Sequence, residues 1–173
     1  MCKRLVVVLA LCLSAGQDLT YGEGGFIARV GQSGDFLEME DQRTGQVITS
    51  YLPLYRAGNI RYFSAGVGVE ERQAEYPHFS LKVVFTAGGK PYLTGVDVTI
   101  QPQKKGSAII ISREQVEGPW LFVDLPTGTY DISAMYGEQK QTLKGIKVVA
   151  GKQKTVQLQW TADIGSMVKV PNE

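Results

Sequence analysis

Short runs of β-branched and aromatic residues recur about every 10–15 residues along this chain, with glycine or proline in most of the intervals. Val96, Val98 and Ile100 alternate with Asp97 and Thr99, and Tyr130, Ile132 and Ala134 alternate with Asp131 and Ser133. A period of two is the mark of a strand with one face buried. A parallel α/β sheet would need crossover helices of about a dozen residues between its strands. The only consecutive good helix formers lie within Val69–Glu75, ahead of Pro77, which is room for one or two turns. The pattern therefore predicts an all-β chain, an antiparallel sandwich.

The expected strands follow from the punctuation. Phe26 to Val30 is a short apolar-rich run, and Asp35 to Ser50 reads as a hairpin in which Leu37 and Met39 alternate with Glu38 and Glu40. Asp41-Gln42-Arg43-Thr44-Gly45 supplies its turn, with Gly45 able to take a positive φ. Val47 to Leu52 returns, and Pro53 stops it. Ile60 to Phe63 is a further short strand. Then come Phe79–Phe85, a turn at Ala87-Gly88-Gly89-Lys90-Pro91, and Tyr92–Gln101. Ala108–Ser112 is apolar enough to predict burial on both faces. Trp120–Leu125, Thr129–Met135, Gln141–Val149 and Thr155–Trp160 complete the set. Twenty glycines, about 12% of the chain against a usual ~7%, fit a fold with many turns.

The first residues read as an export signal. Lys3 and Arg4 precede an apolar run from Leu5 to Leu13, and Ser14, Ala15 and Gly16 follow. The run falls short of the ~20 residues that span a bilayer. Residues 1–22 are therefore expected to be a signal peptide, cut after about 15–22, which predicts a periplasmic or secreted protein. Cleavage after Ala15 removes both cysteines, Cys2 and Cys12, and two bases, leaving 16 bases against 17 acids. A thiol nucleophile, a disulfide and a cysteine-held metal are then excluded from the mature chain. Bacterial lipoproteins carry a small residue before their lipid-bearing cysteine. Leu11 stands there here, and Cys12 lies within the apolar run, so lipid anchoring at Cys12 is not expected. The near-neutral charge also argues against a nucleic-acid partner.

Asp124-Leu125-Pro126-Thr127-Gly128-Thr129-Tyr130-Asp131-Ile132-Ser133-Ala134 resembles a segment of carboxypeptidase regulatory-like domains, with Leu, Pro, Gly, Tyr and Ala in matching places. Gly95, Val96, Val98 and Ile100 fit the preceding strand of that family, and the strand after Gly151 fits its last. The resemblance covers about residues 78–160. It implies an antiparallel Greek-key β-sandwich of transthyretin-like or Ig-like type. Physically, Pro126 ends one strand, Gly128 allows the tight corner, and Tyr130 buries its ring while its hydroxyl bonds to nearby backbone. Tyr62 to Arg72 also looks like the lead-in of small exported bacterial proteins carrying this domain. The expected organisation is an N-terminal β extension with a short helix near 69–75 over residues 23–77, a sandwich over 78–161 and a tail over 162–173. Carboxypeptidases use the domain as an accessory without catalytic residues, and nothing here resembles their zinc-bearing catalytic domain.

Candidate chemistry is sparse. Gly66-x-Gly68 before a short helix hints at a phosphate loop, but Glu70 and Glu71 occupy the place a phosphate would take and suit the helix dipole themselves. His78 is the sole histidine, after Pro77, and reads as an exposed strand-end residue. Asp97, Asp124 and Asp131 are candidate acid–base or cation-binding carboxylates, though alternation with apolar neighbours suits solvated positions. Lys140, Lys144, Lys147, Lys152 and Lys154 make the last hairpin basic, fit either to bind an anionic surface or to guard a sheet edge. Tyr51, Tyr55, Tyr62, Phe63 and Tyr76, with Trp120 and Trp160, offer either stacking platforms or core rings. No catalytic, cofactor or metal residue is assigned.

The expected function is a non-enzymatic exported binding or accessory protein of the bacterial envelope, acting through a surface or sheet edge on a protein partner. The alternatives are a carbohydrate-binding module using exposed Tyr and Trp, and, more remotely, a small hydrolase with a carboxylate site.

Overall fold

The computed structural model describes residues 25–88 and 93–161, and the side chains of residues 49–51 lie outside that description. The expected signal peptide, the tail over 162–173 and the turn at Gly89-Lys90-Pro91 with Tyr92 lie outside the described residues. Among the described residues, twelve strands, one five-residue α-helix and one 3-10 turn at Arg113–Gln115 give an all-β architecture, as the spacing predicts. No helix among the described residues is long and apolar enough to cross a membrane.

The strands form three sheets. β1 (Phe26–Val30), β2 (Phe36–Asp41) and β3 (Val47–Pro53) make an antiparallel meander. Its hairpin turn places Gly45 at φ +69°, as expected. β4 (Tyr55–Ala57) and β5 (Ile60–Ala65) enter a five-stranded sheet with β6 (Leu81–Ala87), β9 (Trp120–Val123) and β12 (Lys154–Trp160), in the order β12-β6-β9-β5-β4. β7 (Asp97–Pro102), β8 (Ile109–Ile111), β10 (Gly128–Tyr136) and β11 (Gln139–Val148) form the third sheet, in the order β11-β10-β7-β8. Part of the 23–77 segment thus hydrogen-bonds directly to strands of the 78–161 segment: Tyr62 pairs with Val123 and Phe63 with Phe122.

The structure differs from the sequence reading in several details, among them that the strand expected over Tyr92–Gln101 begins only at Asp97 among the described residues. The sheets are not wholly antiparallel, because β12 runs parallel to β6 from Lys154 opposite Leu81 to Trp160 opposite Ala87. The chain between them passes through the other sheet, so that pairing needs no crossover helix. The Ala108–Ser112 run is not buried on both faces: β8 keeps three residues at a sheet end, and Ile110 is 73% exposed. An end strand has a neighbour on one side only, and its outer face here meets solvent. Finally, Gly128 lacks a positive φ. A Cβ there would press on the Tyr130 ring at 3.1 Å, so it serves close approach. The Tyr130 hydroxyl donates to the Pro126 carbonyl at 2.9 Å, the backbone bond that the motif requires.

Two apolar clusters lie on the two faces of the five-stranded sheet. Leu81, Val83, Phe85, Leu121, Val123 and Trp160 meet Val98, Ile100, Ile111, Ile132 and Ala134 of the four-stranded sheet on one side. On the other, Phe63, Ala65 and Phe122 meet Ala28, Leu37, Met39 and Leu52 of the N-terminal meander. The period-two alternation of β5 and β9 therefore feeds both cores. Phe63 and Phe122 stack at 4.6 Å, with Tyr76 against both rings. Such pairs add about 0.5–1.5 kcal/mol each beyond their buried area.

Buried serines tie loops to this sheet. The Ser80 hydroxyl accepts the Leu125 N–H at 2.7 Å and donates to the Leu125 carbonyl at 2.8 Å. Ser64 holds Gly118 the same way, accepting its N–H at 2.8 Å. Replacing Ser80 with Ala leaves the buried Leu125 amide without its acceptor. The Ser80→Ala variant should lose about 1–3 kcal/mol of stability by urea titration. A loss no larger than that of an exposed Ser→Ala change would show that the bond is dispensable.

Candidate functional site

The residues singled out by the sequence scatter over the molecule. Asp97 accepts both the Arg113 N–H at 2.9 Å and its guanidinium at 2.7 Å. Asp124 pairs with Arg61 at 2.8 Å. Asp131 accepts the Gly145 N–H and the Gln103 side-chain amide, each at 2.8 Å. Each carboxylate serves a different neighbour, so the three form no shared acid–base pair. Among the described residues no three His, Cys, Asp or Glu side chains could hold a metal ion together. His78 is exposed in the loop before β6.

Gly66 and Gly68 lead into α1 (Val69–Gln73). The Glu71 carboxylate accepts the N–H groups of Gly66 at 2.6 Å and Val67 at 3.0 Å. The loop's own acid thus fills the place of an anion, as the two glutamates predict. Tyr76 donates its hydroxyl to the Glu71 carbonyl at 2.8 Å, and burial pushes its pKa well above the usual phenol range.

The aromatic group is mostly core. Tyr62 and Phe63 are buried on opposite faces of β5. Tyr55 stacks on Tyr62 at 5.6 Å, and Trp160 is fully buried, its indole N–H donating to the Gln139 carbonyl at 3.1 Å. Trp120 is half-buried beneath the Lys82 ammonium, 3.4 Å from its ring centre. That contact compensates Lys82 for a burial that lowers its pKa. Tyr51 belongs to β3, and its side chain is outside the described residues. No aromatic side chain among those described is fully exposed, so the described residues present no open stacking platform.

What the structure does offer is edges and a cleft. The four-stranded sheet ends in β11 and β8, and the five-stranded sheet in β12 and β4. Lys140, Lys144 and Lys147 stand exposed on β11, which also carries an irregularity in its register opposite Tyr130–Ile132. Charge and bulging are both devices that stop an edge from pairing. β12 has neither along most of its length: seven residues pair with β6 in unbroken register, and only Lys154, at its start, is charged. Thr155, Gln157 and Gln159 face solvent, while Leu158 and Trp160 are buried in the core.

At the other end of both sheets, the β4–β5 turn, β8 and the Leu125–Tyr130 corner enclose a cleft of about 630 Å³. Its walls are mainly apolar, and the charged residues among the described lining are Lys104 and Lys105. Neither lysine forms an ion pair with a described carboxylate. The sequence reading missed this cleft. Its one local signal was a lysine pair immediately ahead of an uncharged apolar run, Ala108–Ile111.

Comparison with protein-family models, with curated proteins and with solved structures found no match.

The Asp131 contacts make a pH prediction. The Gly145 N–H, and then the Gln103 amide, hold its carboxyl below the ordinary Asp value. A depressed carboxylate contributes stability above the unfolded value of about 3.9, and this is lost as pH falls through the lower folded value. The Gly145 amide shift, followed by NMR, should therefore titrate with a midpoint below that of a free Asp. In Asp131→Asn it should stay flat over the same range. A midpoint at the free-Asp value would contradict the assignment.

Proposed function

We propose that the chain is a non-enzymatic binding protein, exported into a bacterial envelope, that recognises a protein partner by adding a strand of that partner to β12. The single observation carrying this reading is the state of that edge: seven residues in register, unbulged, and uncharged beyond Lys154. An edge of this length and regularity offers a row of backbone donors and acceptors, the element used in strand addition. Its neighbour β11 carries lysines and a bulge, which would direct pairing to β12. The separate pairings of Asp97, Asp124 and Asp131 leave the hydrolase alternative without support. The buried or half-buried aromatics leave the sugar-binding alternative in the same position.

For the fold, a Greek-key sandwich of transthyretin-like, carboxypeptidase regulatory-like type is the finer reading. It is supported by the Tyr130–Pro126 bond and by a chain that changes sheet after β6, β8, β9 and β11. Export rests on Lys3, Arg4 and the apolar run after them. In that reading the protein is an accessory that holds a partner rather than transforming a substrate.

The test is co-purification of the full chain from the envelope fraction under mild crosslinking, beside Gln157→Lys/Gln159→Lys. Both positions are exposed, and the bond that Gln157 donates to the Thr86 hydroxyl at 3.1 Å is one a lysine ammonium can replace, so the fold should tolerate lysine there. The wild type should retain a partner that the double variant loses, with little change in melting temperature. Recovery of no partner, or equal recovery by both proteins, would sink the β12 reading.

A further inference from the structure

We infer that the cleft beside β8 is a binding site for a small anionic amphiphile, with the apolar body against the β8 side and the anionic head toward Lys104 and Lys105. This goes beyond the partner reading and is independent of it. β8 and β4 end their sheets opposite to β11 and β12. The volume of about 630 Å³ lies within the ~300–1,000 Å³ typical of small-molecule sites. Ile60, Ile109, Ile110 and Leu125 supply an apolar lining, and Ile110 is 73% exposed.

Charge selects the kind of occupant. Among the described residues no acid lines the cleft, and the ionic groups there are two lysines without described carboxylate partners. A cationic ligand would meet two like charges. A neutral apolar one would leave both ammonium groups unused. An anion at the rim makes charge-assisted contacts that a neutral head cannot. β8 is only three residues long, so backbone pairing along it offers too few hydrogen bonds to hold a peptide, which favours a small ligand over an added strand.

The wall where the ligand would rest is tied by a backbone bond. Pro126, Gly128 and Tyr130 belong to the lining, and the Tyr130 hydroxyl is engaged by the Pro126 carbonyl at 2.9 Å. The corner that the sequence marks as a folding motif thus doubles as part of the cleft wall. A largely preformed wall reduces the ordering cost of binding.

Isothermal titration of the full chain with decanoate, decyl phosphate and decyltrimethylammonium, each below its micelle concentration, tests the inference. At least one of the two anions should bind the wild type, and the cation should not. Comparing decanoate with decyl phosphate identifies the preferred head. Lys104→Glu/Lys105→Glu should weaken the anion about tenfold or more, the scale of losing a charge-assisted contact, and should admit the cation. Ile110→Asp should weaken the anion as well, while both variants keep the wild-type circular dichroism. Absence of anion binding, equal binding of the cation by the wild type, or undiminished binding by the lysine variant would overturn the site.

Discussion

Burial of one sheet on both faces governs the rest of this structure. The five-stranded sheet packs against the four-stranded sheet on one side and the N-terminal meander on the other. Its inner strands must therefore be apolar at both odd and even positions. β9 meets this with Trp-Leu-Phe-Val, and β5 ends in four buried residues. Polar groups that fall inside must bring their own partners. Ser64 and Ser80 do so by holding backbone, and Lys82 by resting on Trp120. No buried side-chain nitrogen or oxygen among the described residues lacks a hydrogen bond.

That arrangement sets which surfaces remain for binding. The meander covers the outer face of the central sheet near β5 and β9, through Phe63, Ala65 and Phe122. What is left at the ends of the sheets is two different kinds of opening. One end presents β11 and β12, alike in being edges but opposite in protection. The other presents β4 and β8, too short for extended backbone pairing, around a mainly apolar cleft. A long regular edge suits backbone recognition. A short edge with a cleft suits recognition by side chains.

Local pattern carried much of the strand set. Leu37 and Met39, Val96 through Ile100, and Tyr130 through Ala134 announced their faces by alternation, because a strand presents its side chains at a period of two. The Val69–Gln73 helix and its self-supplied acid, Glu71, were legible for a similarly local reason. The Ala108–Ser112 run misled, since three consecutive isoleucines look the same whether a strand is central or terminal. β4 was missed, because three residues show no period.

The sequence by itself determined the all-β class, the positions of most turns and the Pro126–Tyr130 corner, since each depends on residues close along the chain. Tertiary structure alone decided that β12 runs parallel to β6, that β5 belongs with β9, and that Lys104 and Lys105 meet Ile60 and Leu125 around one cleft. These relations join residues tens of positions apart. Strand pairing uses the backbone, which every residue carries, so composition cannot say which strand will lie beside which. An edge is free, and a cleft exists, only once all the other pairings have been made.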